Sequence, residues 1–533
     1  MNPKMKLPLD IVGMVWIFLI TLFPPTVTNA FEGRLDPVTP YEQEWTPTPV
    51  SEIDRLIGTE QRREGIEPAY PCSDDLFLRR AYLDITGTLP PPQAYWKFRK
   101  VPAGNRRSGL IDALLETEAY ADYWTLKWSD LLRIKAEFPI NLWPNGVQAY
   151  HRWIKESVRS NKPLDEFARE LLTSSGSNFR VAPVNFYRAI EGQKPETIAS
   201  AVSLTFLGVR YKSWTEQEQA DLARIFSRVA FKKTDEWKEE IVYLDPEQYG
   251  PIELTFPDGA SAVLPAGADP RKAFADWLIR PENPWFARNV VNRAWFWLMG
   301  RGLIHEPDDI RKDNPCVAPA LLSYLEKEFT DSGYDIKHIF RLILNSRTYQ
   351  QSPIPRSGHP LAESLFSHYI VRRMDAEVLF DALTVLGGQG ELYQSPVPEP
   401  FTFVPEYKRT VQLSDGSITS QFLEKFGRPG RDTGLEMERN NAYSVDQGMY
   451  LLNSGAIQTR IKSSFRLRNI IRQGKSEPEK AIESLYRLVL SRPPTQQEKS
   501  TALAYEGMDT GKMMAYQDLC WALINSKEFL YRH

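Results

Sequence analysis

Ala287-Arg288-Asn289-Val290-Val291-Asn292-Arg293-Ala294-Trp295-Phe296-Trp297-Leu298-Met299-Gly300-Arg301-Gly302 is the stretch on which the fold of this chain turns. Nothing in it breaks a helix before Gly300, and a glycine there is a natural stop. Val290, Val291, Trp295, Phe296, Trp297 and Leu298 make the predicted helix apolar nearly all round, so it should be buried. Arg288 with Asn292, and Asn289 with Asn292 and Arg293, then form a polar stripe on a buried helix. Buried polar groups must be satisfied by partners. The helix therefore predicts a large α-helical core held by an internal polar network.

The same periodicity extends outward. Between Asp54 and about Glu240 apolar residues recur at helical spacing, as in Leu110, Leu114 and Leu115, or Trp153, Ile154 and Val158. It resumes near Arg271 and runs through Leu321–Phe329, Ile336–Leu344 and Val378–Leu386. Between the two blocks, Ile252-Glu253-Leu254-Thr255-Phe256 alternates, Pro257-Asp258-Gly259 turns, and Ser261–Leu264 returns, which predicts a β-hairpin. Residues 387–426 are rich in Pro, Tyr and Phe without a clear period and read as a long loop insertion. The fold class is thus mainly α: two helical domains, 51–243 and 269–533, joined by a small hairpin region at 244–268. Helical hairpins with a Pro-rich turn recur within them. Ala81–Gln93 leads to a helix ending at Thr117, Leu485–Gln497 to one ending at Ser526, and Leu344-Asn345-Ser346 repeats the ending. Each closes on a Ser or Thr placed to cap the next segment, a packing feature without chemistry.

Composition narrows the function. The chain has 533 residues, 42% hydrophobic and 25% charged, which excludes both a disordered chain and a polytopic membrane protein. With 65 Lys+Arg against 68 Asp+Glu the net charge is -3, and there is no bulk attraction to nucleic acid. Lys4 and Lys6 precede an apolar run from Ile11 to Phe23, then Pro24-Pro25 and a polar stretch ending at Ala30. That order predicts a secretory signal peptide over 1–30, cut after Ala30, followed by a linker over 31–50. Retention of the segment as an uncleaved anchor is the one route to a membrane. The expected location is secreted or periplasmic. There Cys72, Cys316 and Cys520 could form one disulfide, although three buried free thiols are the simpler expectation.

Catalytic templates are missing. The six histidines are scattered, without His-x-His or His-Glu-x-x-His, so no metal site is expected. There is no Gly-x-Ser-x-Gly elbow, phosphate-binding loop or dinucleotide fingerprint. Asp308-Asp309 could do acid/base work on a glycoside, but adjacent acids are a common accident. Trp143, in Asn141-Leu142-Trp143-Pro144-Asn145-Gly146, reads as a turn residue whose exposed ring could stack on a sugar.

Phe77-Leu78-Arg79-Arg80-Ala81-Tyr82-Leu83-Asp84-Ile85-Thr86-Gly87 and Phe206-Leu207-Gly208-Val209-Arg210 resemble the first of two paired secreted domains from planctomycete-type bacteria, domains of unknown function 1549 and 1553. Ala287–Trp295, Gly300–Leu303, Asn345–Gln350, Phe426-Gly427-Arg428-Pro429-Gly430-Arg431 and Leu451-Leu452-Asn453-Ser454 resemble the second. The resemblance implies a Cys-x-x-Cys-His segment after Phe-Leu-Gly, similar to a haem c attachment site, and a Cys-x-Cys before Glu-Arg. This chain departs at both places. Only Tyr211-Lys212-Ser213 separates Arg210 from Trp214-Thr215-Glu216, with none of the two thiols and imidazole that covalent haem requires. The second stretch reads Leu435-Glu436-Met437-Glu438-Arg439, apolar where the thiols would stand. Their joint loss suggests one redox or metal-binding unit in relatives, shed here, so no cofactor is expected; independent drift is the alternative.

The remaining polar candidates are Arg80 and Asp84, spaced to pair on one helix face, with Arg288, Asn292, Arg293, Arg301, Asp308, Asp309, Arg428, Glu438 and Arg439. Arg288, Arg293, Arg301, Asp308 and Asp309 either line a cleft for an anionic or sugar ligand or belong to a buried network that fixes helix packing. The chain is expected to be a non-catalytic binding or scaffolding component acting on an extracytoplasmic protein partner or polysaccharide. The alternative is a secreted enzyme, either a carboxylate-dependent hydrolase or an oxidoreductase working with a separate haem protein.

Overall fold

The computed structural model describes residues 36–44, 50–387, 408–474, 476–506 and 512–533, with isolated positions between 390 and 404. The predicted signal segment 1–30 lies outside the described residues, as do parts of the 31–50 linker and of the 387–426 loop. The fold is mainly helical, with three small antiparallel sheets among the described residues.

Local chemistry starts and stops the helices as the sequence suggests. Ser73 accepts from the Leu76 amide to open the Asp74–Thr86 helix, and Gly87 closes it in the left-handed region at φ 59°. Before the Phe286–Met299 helix, the Asn283 side chain accepts from the amides of Trp285 (2.9 Å) and Phe286 (3.1 Å), and Gly300 ends the helix at φ 83°. Thr117, Ser346 and Ser526 each accept an amide three residues on, at 3.1–3.2 Å. Thr117 and Ser526 satisfy donors that a helix start leaves open, whereas Ser346 caps a turn that no helix continues.

The apolar side chains of both blocks form one continuous cluster from Ile53 to Leu530. Its centre is aromatic. Trp124, on the Glu118–Leu131 helix, packs on Trp297 (5.3 Å between ring centroids) and on Phe340 (4.2 Å), both from the second block. Trp295 is fully buried, as its helix predicted.

The hairpin forms where expected. Ile252–Thr255 pairs with Ser261–Leu264, in the register Ile252 opposite Leu264 and Leu254 opposite Ala262. The β region is nevertheless larger than the predicted 244–268 joint. Val229–Lys233 and Glu240–Leu244 pair with each other, and Gly176–Ser177 adds a third strand. Gly176–Ser177 and Val229–Lys233 lie inside the stretch read as helical to about Glu240, and Glu240–Leu244 begins at its end. Short runs of β-branched and aromatic residues such as Ile241-Val242-Tyr243 fit either reading until a partner strand is supplied. Arg372–Arg373 pairs with Tyr531–Arg532, a contact between distant segments that no local pattern announces. The 387–426 insertion also carries structure, the short helix Gln421–Lys425 and a turn at Thr410–Gln412. Cys72, Cys316 and Cys520 are all free.

Candidate functional site

The Phe286–Met299 helix turns one stripe, Asn289, Arg293 and Trp297, toward the places that matter. Asn289 donates to the Thr205 carbonyl (2.9 Å) and accepts from Arg293 (3.3 Å). Arg293, 2% exposed, bridges Asp308 (2.9 Å) and Glu436 (3.1 Å). Trp297 donates its indole N–H to Glu436, whose own amide donates to Asp308 at 2.6 Å. Burial raises the Glu436 carboxyl, Arg293 opposes that, and Asp308 adds to it. Asn292 faces elsewhere, holding both the amide and the carbonyl of Ile304 at 2.9 Å.

A second buried cluster lies beyond. Asp84 accepts from the hydroxyls of Tyr349 (2.9 Å) and Tyr369 (2.8 Å) and pairs with Arg372 (3.1 Å) and Arg532 (3.2 Å). The predicted Arg80–Asp84 pair does not form. Arg80 donates to the carbonyls of Tyr349 (2.6 Å) and His533 (2.9 Å) and lies 3.7 Å above the Tyr369 ring. Four-residue spacing permits a pair, but two backbone oxygens and a ring face outcompete it. Arg532 continues to Asp375 (2.8 Å), which also holds Lys127 (2.9 Å) and Asn441 (2.8 Å). Arg439 joins Glu377 (2.7 Å) to Asp130 (2.6 Å), Arg428 reaches Glu377 (3.3 Å), and Arg431 reaches Asp130 (2.9 Å). Burial alone would raise the Asp375 carboxyl, yet Lys127, Arg532 and Arg439 hold it well below the carboxylate range. Glu377 is lowered in the same way by Arg439 and Arg428 against its burial.

The other predicted residues are dispersed. Asp308 and Asp309 turn to different partners, Asp309 pairing with Arg311 at 3.1 Å, so they do not form an acid/base dyad. Glu438 accepts from the amides of Asp432 (2.9 Å) and Thr433 (3.0 Å) and stabilises a turn. Arg301 is half-buried beside His305, whose imidazole is lowered by burial and then by Arg301. Trp143 is the first residue of the Trp143–Arg159 helix rather than a free turn residue. It is half-buried against Trp237 at 4.9 Å, and Trp237 is the exposed ring, at 60%.

Arg288 stands apart at the surface. It pairs with Glu326 at 2.7 Å and lines an open groove of about 740 Å³ between residues 209–218 and 284–323. Trp214, Trp285, Glu218, Asp313, Asn314 and Cys316 line it too. Burial pushes the Cys316 thiol up to about 11, so it stays protonated at neutral pH and is a poor nucleophile.

Comparison with protein families gives two matches in series. Residues 52–229 match PSCyt2, described as Protein of unknown function (DUF1549), and residues 270–505 match PSD1, described as Protein of unknown function (DUF1553). The chain belongs to this paired-domain family. No curated protein and no solved structure matches it. In this paired-domain protein the two places that depart from the cysteine pattern adjoin. Arg210, just after Phe206-Leu207-Gly208, pairs with Glu306 and donates to the Met437 sulfur at 3.8 Å. Gly208 packs so closely that an added Cβ would lie 2.7 Å from Asn289 Oδ1. Thus the Phe286–Met299 helix touches both stretches, through Asn289 on one side and Arg293 with Trp297 on the other.

The sequence missed Lys127, Asp130, Arg372, Asp375, Glu377, Arg431, Glu436 and Arg532. A signal existed for some of them: Asp375-Ala376-Glu377 opens the apolar run of the Ala376–Gly387 helix, where a carboxylate is costly unless paired.

Proposed function

We propose that this paired-domain protein is an extracytoplasmic, non-catalytic binding component whose relatives' redox unit has been replaced by a structural contact. One observation carries the reading: the two stretches that depart from the cysteine pattern meet at Arg210 and Met437, 3.8 Å apart. Two independent losses would have no reason to adjoin in space, whereas the loss of one shared unit would. An Arg210–Glu306 ion pair and the Met437 thioether stand there now. Neither supplies the thiols and imidazole of a covalent haem site.

The buried charges support the same reading. Arg293, Asp308, Asp375, Glu377 and Arg439 are each engaged by opposite charges inside the protein, an arrangement that fixes packing. The open groove beside Arg288 is one region accessible to a partner or polysaccharide. The test is spectroscopic. Exported from a host that attaches haem c, the purified protein should show no Soret band and no dithionite-induced spectral change, while a relative retaining Cys-x-x-Cys-His should show both. A Soret band in this protein overturns the proposal.

A further inference from the structure

The groove beside Arg288 deepens this reading, and rests on it, because its walls specify a kind of ligand. Two indoles, Trp214 and Trp285, stand half-buried in it with ring centroids 5.9 Å apart and planes inclined at 59°. Both are held in place. Trp214 donates its N–H inward to Ser203 Oγ at 2.7 Å. Trp285 packs on Trp277 (5.7 Å), and Trp277 is fixed by its own bond to Asp258 (2.8 Å). The rings are therefore set before any ligand arrives, which lowers the entropic cost of binding.

Around the rings stand flat polar groups, the Arg288 guanidinium, the Glu218 and Asp313 carboxylates and the Asn314 amide. Arg288 spends its Nε on Glu326, and Asn314 donates to the Asp309 carbonyl at 2.8 Å, which fixes the orientation of its amide. Glu218 Oε2 caps a helix, accepting from the Thr215 amide and hydroxyl at 2.8 Å, which leaves Glu218 Oε1, the Arg288 Nη pair and Asn314 Oδ1 to meet ligand hydroxyls. Arg288, Arg311 and Lys312 line the wall with Glu218 and Asp313, and two of the three cations are already paired, Arg288 with Glu326 and Arg311 with both Asp309 and Asp313. That balance gives no field that would draw a polyanion. An apolar ring face beside paired hydroxyl partners matches a pyranose, whose C–H face is apolar and whose rim is hydroxylated.

We propose that the groove binds a short stretch of an uncharged saccharide chain, laid on Trp214 and Trp285 and oriented by Arg288, Glu218 and Asn314. The size, about 740 Å³, admits a few sugar rings.

Titrating the full exported protein with cello-, xylo-, manno- and chito-hexaoses, and with an oligogalacturonate of equal length, while following tryptophan emission and calorimetric heat, tests this. At least one neutral oligomer should bind saturably. Trp285→Ala should weaken it tenfold or more, and Trp143→Ala should leave it within twofold. Should Trp285→Ala lose its wild-type circular dichroism, Arg288→Ala, a surface change, serves instead, with an expected loss of fivefold or more. Binding by no neutral oligomer, binding by the oligogalacturonate alone, or neutral binding untouched by both groove variants each overturns the assignment. If that happens while the haem spectrum stays absent, only the groove assignment falls. A Soret band would instead remove the reading beneath it.

Discussion

At the residue scale the decisive fact is which buried charges have partners and which do not. Asp375 is surrounded by Lys127, Arg532 and Asn441, and its ionised form is strongly favoured. Asp381 is the opposite case. It accepts from the amides of Thr410 (2.7 Å) and Val411 (3.2 Å), but burial dominates and raises its carboxyl from 3.8 to about 6. A carboxyl raised on folding binds its proton more tightly in the folded state. Its favourable contribution is complete below about pH 4, is lost as the pH climbs to about 6, and is constant above, a change of about 3 kcal/mol. His151 and His533, which burial lowers to about 3, give the opposite trend over the same range, so the Asp381 effect is read as a difference: the melting temperature of Asp381→Asn relative to the wild type should rise between pH 4 and pH 7. Asp375 and Glu377 act at lower pH, because their depressed values leave stability intact until acid begins to protonate them. Sequence reading found Arg80, Asp84, Arg293, Asp308, Arg428 and Arg439 as polar residues that need partners. It could not find the partners, since Arg532 lies far along the chain from Asp84 and Arg439 far from Asp130.

At the element scale the Phe286–Met299 helix organises the molecule, and the segment leading to Gly208 is fitted against it. Gly208 is left-handed at φ 68°, and an added Cβ would meet Asn289 Oδ1 and Ile310 Cδ1, both at 2.7 Å. Its carbonyl also accepts the Ile310 amide at 2.9 Å. Gly208→Ala combines backbone strain with overpacking and should destabilise the protein by about 2 kcal/mol or more. The urea midpoint measures the loss, and faster amide exchange at Ile310 would localise it. Helix existence was legible because amphipathic and all-apolar periods are local properties. The strands Val229–Lys233 and Glu240–Leu244 were not, because a strand is defined by its neighbour. The Ile252–Leu264 hairpin escaped that difficulty, since its turn and both its strands are contiguous.

At the scale of the whole molecule, two sequence blocks share one interior. Trp124 of the first block packs against Trp297 and Phe340 of the second, and the Asp375 cluster draws Lys127 from one and Arg532 from the other. The blocks should consequently unfold together. Calorimetry should show a single transition, and Asp375→Asn, which leaves Lys127 and Arg532 facing a neutral amide, should lower that transition as a unit by about 3–5 kcal/mol. Two transitions, one of them unshifted, would show that the blocks are independent. Sequence by itself determined the helical class, the hairpin between the blocks, membership of the paired-domain family and the lack of a haem-binding motif, because each is written in contiguous residues. Only the tertiary structure decided that Arg80 and Asp84 take different partners, that Asp308 and Asp309 diverge, and that the two altered stretches adjoin at Arg210 and Met437. The physical reason is that burial makes an unpaired charge costly without naming its partner, and the partner is chosen by whichever distant segment packing brings within reach.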